Sequence, residues 1–532
     1  MNAPHAGRHA TAPAGPRLTL AAVCVAAVVL PMALTGASVA LPDINGDLHV
    51  GLVSLQWVVN AYNVTFAACM LACGALADLL GRRRMFTAGL VTILVAGVVS
   101  AVSPGIVLLD LSRGLAGIGG AAVMTAGSAL LAQTFDGPAR AKAFGALGTA
   151  FGTGLALGPF TAGFLVDAFG WRSVFVSHAV LAAAVLAVTG RLAESRNPRA
   201  MGVDKPGTAT FTAALFALIL GIIEGPQLGW AHPLVLALLA GAALFLAAFV
   251  TVERRVGHPM FDLGLLARPR FLGICLMPFV LSFVFVGLLA FLPTYLIGVG
   301  DYSTDGAGAA MLPLTLPILT VPVVAGFLTQ RLAMRTLLAL SLALVAAGAA
   351  WLTVIGPSSG FTDILGPLLV MGAGVGVSFG LLDGAAVSVV PAERAGMAAG
   401  MFNTMRLTGE AVAVAGMGTV LVSVIAGRLG DHTDEIPGRY RGHVQNLADT
   451  ITQGDLAKAA SHATPGAARD AFTTLAAGSY TDALHLALWI LAALSALCIP
   501  AVWTLLTRRQ EQAGPAAGTN PASTAREERP AR

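Results

Sequence analysis

The chain has 532 residues, of which 56% are hydrophobic and only 11% charged, and its mean hydropathy is +0.80. A soluble globular chain carries about 25% charged residues, so a chain this long and this poor in charge cannot cover itself in water. The same composition excludes intrinsic disorder, a disulfide scaffold and a nucleic-acid-binding surface, and the net charge of +4 matters less than where the positive residues sit.

A helix crossing the hydrocarbon core needs roughly 20 apolar residues. Fourteen stretches qualify: 18–41, 52–76, 85–103, 106–134, 143–166, 173–190, 207–224, 233–252, 271–297, 306–330, 336–355, 361–390, 395–426 and 481–507. They are numbered spans 1 to 14 below. The first is long enough to span, so no cleavable signal peptide is expected. The five cysteines, Cys24, Cys69, Cys73, Cys275 and Cys498, all fall in apolar runs and read as packing thiols.

Orientation follows from Lys and Arg, which are enriched in cytoplasmic loops. With the N-terminus in the cytoplasm, the inner segments hold 23 of the 31 Lys and Arg residues, among them Arg82, Arg83, Arg84, Arg140, Arg254, Arg331 and Arg335. The outer segments hold six, of which only Arg172 lies outside the long loop 427–480. Two, Arg113 and Arg406, lie inside spans. An even number of spans keeps this alternation, so both termini are expected in the cytoplasm. The tails 1–16 and 508–532 are rich in Pro, Ala and Gly and are expected to be mobile. Loop 427–480 carries Val444, Leu447, Ile451 and Leu456 at loosely helical spacing. It is expected to form one or two short amphipathic helices, acting as a lid or as a passive loop.

Two loops repeat. Gly74-Ala-Leu-Ala-Asp78-Leu-Leu-Gly81-Arg82-Arg83-Arg84 follows span 2, and Gly326-Phe-Leu-Thr-Gln330-Arg331-Leu-Ala-Met-Arg335 follows span 10. The spacing predicts two homologous six-helix halves, residues 17–190 and 271–507, with two linker helices between them at 206–253. The first loop resembles the signature between helices 2 and 3 of the major facilitator superfamily. Arg113-Gly-Leu-Ala-Gly117-Ile-Gly119-Gly120 resembles its fourth-helix motif. Gly145, Gly154, Gly158-Pro159 and Gly163 resemble the fifth-helix motif of antiporters, with Ala162 where Gly is usual. Val39-Ala40-Leu41-Pro42, Glu224-Gly225 with Gly229-Trp230, His258-Pro259-Met-Phe-Asp262-Leu263 and Gly400-Met-Phe-Asn403-Thr404-Met-Arg406 are similar to stretches of the fourteen-span drug:proton antiporters, the QacA/EmrB type. The resemblance covers residues 18 to about 507. It implies an all-α integral membrane fold: two six-helix bundles and two inserted helices.

The resemblance also implies roles. Gly74, Asp78, Gly81, Arg82, Arg83, Arg331 and Arg335 correspond to a latch between the halves. The second copy has Gln330 where the first has Asp78, so its latch is expected to be weaker. The fifth-helix residues either bend the helix or let the halves approach closely, since small residues admit close backbones and Pro frees a carbonyl. Arg113 corresponds to a group that handles protons in the family, with Asp110 on the same helix face three residues earlier. A charge at the centre of a spanning helix costs at least about 2.5–3.5 kcal/mol, so it faces a cavity or a partner.

Arg406 and Glu410 are four apart in span 13 and can meet on one face. Asp383 lies deep in span 12. A carboxylate kept from water binds a proton more readily unless it is paired. Asp383 is therefore the preferred proton-coupling group, with cationic-substrate binding as its rival role; Glu410 is a second coupling candidate or a structural ion pair. His178 and His485 are expected to be hydrogen-bonded packing residues. Asn60, Asn63 and Gln56 give span 2 a polar face towards a cavity, and Trp57, Tyr62, Phe283, Phe285, Phe291, Tyr295 and Asn403 are further candidates for its wall.

The chain departs from the family at Ala33, where helix 1 usually carries an acid, at Ser38, where Asn is usual, and at Ile297, where Gln is usual. The missing acid moves coupling towards Asp383 or Glu410, and it leaves neutral and anionic substrates open beside cations. No phosphate-binding Gly-x-x-x-x-Gly-Lys-Ser/Thr loop, metal cluster or nucleophile elbow is present, so no enzyme is expected. The expectation is a monomeric exporter in a bacterial cytoplasmic membrane, driven by the proton gradient without a cofactor, taking amphipathic drugs or antibiotics. The alternatives are an exporter dedicated to one natural product or lipid precursor, and a non-transporting receptor or scaffold that uses loop 427–480.

Overall fold

The computed structural model describes residues 15–50, 52–195, 204–256, 264, 269–390, 395–440 and 442–507. The His258–Leu263 motif and nearly all of both tails lie outside the described residues. Fourteen helices are long and apolar enough to cross a membrane, and no strand forms among the described residues. Spans 1 to 8 are Pro16–Leu48, Leu52–Leu80, Arg82–Ala101, Ile106–Thr134, Gly137–Phe169, Arg172–Thr189, Lys205–Leu228 and Pro233–Glu253. Spans 9 and 11 to 14 are Pro269–Gly298, Met334–Leu352, Phe361–Ser388, Ala395–Asp431 and Ala467–Thr507.

Span 10 differs from the single helix expected over 306–330. It is broken into Thr304–Ala310, Leu312–Thr315 and Pro317–Leu328. The breaks fall at Met311 and Leu316, close before Pro313 and Pro317. Proline lacks the N–H that would continue the ladder and disfavours helical geometry in the residue before it.

Span 14 starts fourteen residues earlier than the apolar run, at Ala467, and span 13 runs on to Asp431. Hydropathy alone misses both extensions because 467–480 mixes Ala with Arg469, Asp470, Thr and Ser. Alanine nevertheless has the highest helix propensity. An Arg428–Asp482 ion pair at 2.6 Å ties the two helices above the apolar zone.

Between them, Val444–Thr452 and Leu456–Ala460 are short helices. Leu447, Ile451 and Leu456 are buried, as amphipathic spacing requires. The Tyr480 hydroxyl donates to the Thr452 carbonyl at 3.1 Å and shares a 2.8 Å hydrogen bond with Thr294. This segment is therefore fixed to spans 9 and 14.

The two largest buried apolar clusters form most of the core. One is drawn mainly from spans 1 to 6, and the other from spans 9 to 14. Large side chains such as Leu236, Leu244, Phe160 and Phe164 are exposed outside them, as a lipid-facing surface requires. Spans 7 and 8 pack on each other, and span 7 also touches spans 2 and 13.

The two halves meet most tightly at the end that carries Asp78. A Cβ at Gly145 would stand 2.9 Å from the Pro322 carbonyl oxygen, and one at Gly400 would stand 3.0 Å from the Leu71 Cα. A Cβ at Gly148 would collide with the Phe379 carbonyl. Backbone therefore lies directly on backbone here, and no room is left for a passage. Towards the 432–466 segment the halves part.

Candidate functional site: a central cavity with a charged floor

The parting of the halves leaves a cavity of about 1550 Å³, larger than the 300–1,000 Å³ of ordinary small-molecule sites. Spans 1, 2, 5, 7, 9, 12 and 13 line it, and the 444–452 helix contributes Gln445, Asn446 and Asp449 at its mouth. Most of the wall is apolar. Phe285, Phe291 and Phe379 project into it from the second half, and Tyr62, Phe66 and Phe151 from the first. Asn60, Asn63 and Gln56 form a polar strip on span 2. At the mouth, partial burial pushes the Asp449 carboxyl above the usual carboxylate range.

Asp383, Arg406 and Glu410 also line the cavity. Spans 12 and 13 bring them together: the Arg406 guanidinium is the charged neighbour of both carboxylates. Its Nε lies 3.9 Å from Glu410 Oε1, a loose ion pair. Asp383 is 6% exposed and has the Asn403 amide beside it, while Glu410 has the Ser282 hydroxyl. Asp383 Oδ1 and Arg406 Nε and Nη2 are buried without hydrogen-bond partners. Buried polar atoms are ordinarily satisfied, so Asp383 and Arg406 retain unused hydrogen-bonding capacity within the cavity wall. The guanidinium also lies 4.7 Å from the centroid of Phe151, a cation–π contact with span 5 of the other half. No sequence spacing signalled Phe151 or Ser282, since each meets its partner only through packing of distant spans.

Four residues expected at the cavity wall are not there. The Tyr295 hydroxyl instead shares a 2.9 Å hydrogen bond with Thr481, its ring edge-on to Tyr480, and the residue is 1% exposed. Asn403 is fully buried and donates to the Ala399 carbonyl at 2.9 Å, acting behind Asp383. Trp57 is half-buried and outside the lining, as is Phe283, which packs against the second core.

Arg113 is 1% exposed and lies away from the main cavity. Its Nε donates to the Val58 carbonyl at 2.9 Å and Nη2 to the Ala33 carbonyl at 2.6 Å, and its guanidinium lies over Tyr62 and Phe175. The position that lacks the family acid thus meets the arginine with backbone alone. Asp110 makes no ion pair with it, and Asp110 Oδ1 is buried without a partner. His178 is buried beside the Met32 backbone, and His485 bonds the Ile355 carbonyl at 2.6 Å.

Asp78 joins the halves at the closed end. Its Oδ1 pairs with Arg82 at 3.1 Å, while Oδ2 accepts from the Met397 backbone N–H at 3.0 Å. Met397 lies in the first turn of span 13, where N–H groups have no helical partner and the helix dipole favours an anion. Arg82 also reaches Gln133, and Arg83 donates to the Leu192 carbonyl. Glu194 receives Arg83 at 3.6 Å and Arg84 at 3.7 Å. Gly81 has φ +110°, and a Cβ there would stand 2.6 Å from the Glu194 carboxylate. Glu194 escaped the sequence reading because 111 residues separate it from Arg83. Gly74 lies in span 2 just before this cluster.

The second copy is built differently. Arg335 stacks on Trp503 at 5.3 Å, and Arg331 is exposed at the helix end. A Cβ at Gly326 would stand 3.1 Å from the Ala141 carbonyl of span 5.

Span 5 serves two neighbours. Gly145, with Gly148 and Gly152, faces spans 10 and 12 of the other half, while Gly154 and Gly158 admit the span 1 backbone at Val28 and the Thr35 side chain. Pro159 stays within an unbroken helix. Nothing lies within 4 Å of a Cβ on Gly163, so that glycine answers no close approach; Ala162 instead packs on Gly36, 3.3 Å from where its Cβ would be. The small residue has moved to the facing helix. Gly148 and Gly152 lie outside the motif and were missed. Among the described residues no group of three or more His, Cys, Asp or Glu is placed to hold a metal.

A sequence model described as the Major Facilitator Superfamily matches residues 23–414. The "Multidrug resistance protein Stp" of Mycobacterium tuberculosis is 33% identical over 78% of this chain and 77% of its own length. The "Puromycin resistance protein pur8" of Streptomyces alboniger is 34% identical, over 82% and 89%. The "Tetracenomycin C resistance and export protein" of Streptomyces glaucescens is 28% identical, over 95% of each. Among solved structures, a proton:xylose symporter superposes with TM-score 0.57 at 15% identity, covering 92% of this chain and 96% of that one. The human organic anion transporter MFSD10 gives 0.55 at 16% identity, covering 90% and 99%. At such identities the likeness speaks to the fold alone.

Proposed function

This chain belongs to the major facilitator superfamily, and on that premise we propose that it is a proton-coupled exporter of amphipathic small molecules that works by alternating access in a bacterial cytoplasmic membrane. The Lys and Arg distribution supports cytoplasmic termini, which makes the Asp78 end the inner end. The conformation is then outward-facing, closed by the Asp78–Met397 contact and open below the 444–452 helix. The resistance and export names of the relatives support the direction of transport.

One observation carries the reading: Asp383, Arg406 and Glu410 share the cavity wall, and Arg406 also touches Phe151 across the interface between the halves. With both carboxylates ionised, the trio bears a net negative charge and the guanidinium is drawn to its own half. A proton arriving from outside removes one of its negative partners. Arg406, already on Phe151 in this outward-open conformation, is then held less by its own half and can tighten that contact between the halves, which favours closing the outer side. Inside, proton loss and substrate entry restore the charged trio. Each proton entering across 100 mV contributes about 2.3 kcal/mol before any pH gradient.

The test is efflux of a fluorescent amphipathic probe, rhodamine 6G, from proteoliposomes with an imposed pH gradient, comparing the wild type with Asp383→Asn. The expected result is gradient-driven efflux in the wild type and its loss in the variant, with gradient-independent exchange retained. Equal gradient-driven efflux in both would remove Asp383 from the coupling. The cavity volume favours a second, narrower reading, export of one bulky natural product, which the tetracenomycin relative also supports. Wild-type flux confined to a single polycyclic compound would select it.

A further inference from the structure

By sequence, the two inserted helices are a linker between the halves. The structure places the first of them in the seam. The inner half of span 7 sends Phe211 and Leu215 into one buried cluster with Ala68 and Leu71 of span 2 and Ala398 and Met401 of span 13. Span 2 belongs to the first half and span 13 to the second. The outer half of span 7 then lines the cavity with Ile219, Ile222, Ile223 and Leu228, followed by Trp230. The Trp230 ring rests on the helix at Gly225, where a Cβ would stand 2.6 Å from the indole. Glycine therefore lets the ring lie against the backbone. Trp230 remains 39% exposed in a wall that is otherwise aliphatic on this side.

An indole held by backbone contact on one side and open on the other is a stacking platform, and aromatic pairs gain beyond the area they bury. The isoleucines extend that platform as an apolar surface with stiff, β-branched side chains. We propose that span 7 is a wall of the transport cavity rather than a linker, and that Trp230 with Ile219, Ile222 and Ile223 forms the subsite for a planar aryl portion of the substrate. The subsite rests on the export reading above and adds to it a chemical class, flat polycyclic amphiphiles.

The experiment measures gradient-driven uptake kinetics in proteoliposomes for two probes, planar ethidium and propeller-shaped tetraphenylphosphonium. It compares the wild type with Trp230→Ala and Trp230→Phe. The expected result is a KM for ethidium raised about three- to tenfold in Trp230→Ala, a smaller rise for tetraphenylphosphonium, and recovery of most of the loss in Trp230→Phe. The change should fall on KM rather than on the maximal rate. An unchanged ethidium KM beside intact wild-type transport would overturn the subsite while leaving the export reading in place. An equal fall in maximal rate for both probes would also overturn it, because Trp230 would then act on turnover. Wild-type vesicles that move neither of these cations would overturn the broad drug-export reading, and the subsite with it, in favour of the narrower single-product reading.

Discussion

Ala33 shows how one side chain redistributes charge. Its carbonyl, with that of Val58, holds Arg113, and Ala33 and Arg113 line the same small internal void. A carboxylate at position 33 would sit beside a fixed guanidinium. Ala33→Asp is therefore expected to restore part of the gradient-driven efflux lost in Asp383→Asn, measured with the same probe; a double variant as inactive as Asp383→Asn alone would contradict this. Asp449 offers a residue-scale pH prediction. Burial raises its carboxyl above the ordinary range, so the folded state binds its proton more readily than the unfolded chain does. The charged form then costs folding free energy, and this cost grows as pH rises from the unfolded value through the folded one. Asp449→Asn should accordingly gain melting temperature over the wild type as pH rises above the ordinary carboxylate range, and the difference should vanish at the acid end. A pH-independent difference would contradict the assignment. Residue types were legible in the sequence at this scale, but their partners were not. Asp383, Arg406 and Glu410 stood out because charge inside a span is costly. Glu194, Phe151 and Ser282 did not, because nothing local marks a contact made across a hundred residues or more.

Spans 5 and 13 govern the closed end. Span 5 lays Gly145 and Gly148 on the backbone of the other half, and span 13 takes Asp78 at its first turn. Gly148→Ala should push the halves apart there, so a cysteine placed in this interface should become more reactive to a membrane-impermeant maleimide applied from the Asp78 side. Gly163→Ala, which meets nothing, should leave that reactivity unchanged. Asp78→Asn keeps an acceptor but removes the charge from Arg82 and from the helix N-terminus. It should raise labelling as well, by less than Gly148→Ala. Equal labelling in Gly148→Ala and the wild type would contradict the closure argument. Element boundaries were legible where apolar length decided them. They failed at span 10, where proline spacing broke the helix, and at span 14, where alanine extended it into polar sequence.

For the whole molecule, hydropathy, charge alternation and ordered motifs made fourteen spans and two bundles readable. A bilayer leaves the backbone few options, so the fold follows from apolar length. The cavity was less readable, because its wall is the space left where seven spans part. The place of span 7 in the seam required side-chain packing from both halves. On the proposed function, substrate and protons move in opposite directions through this cavity. The most direct measurement is the lumenal pH of proteoliposomes carrying a trapped pH-sensitive dye, while rhodamine 6G runs out down its own gradient with no pH gradient imposed. The lumen should acidify as the probe leaves, and the acidification should be lost in the Asp383→Asn, Glu410→Gln double variant. Probe efflux with a constant or rising lumenal pH in the wild type would contradict movement in opposite directions.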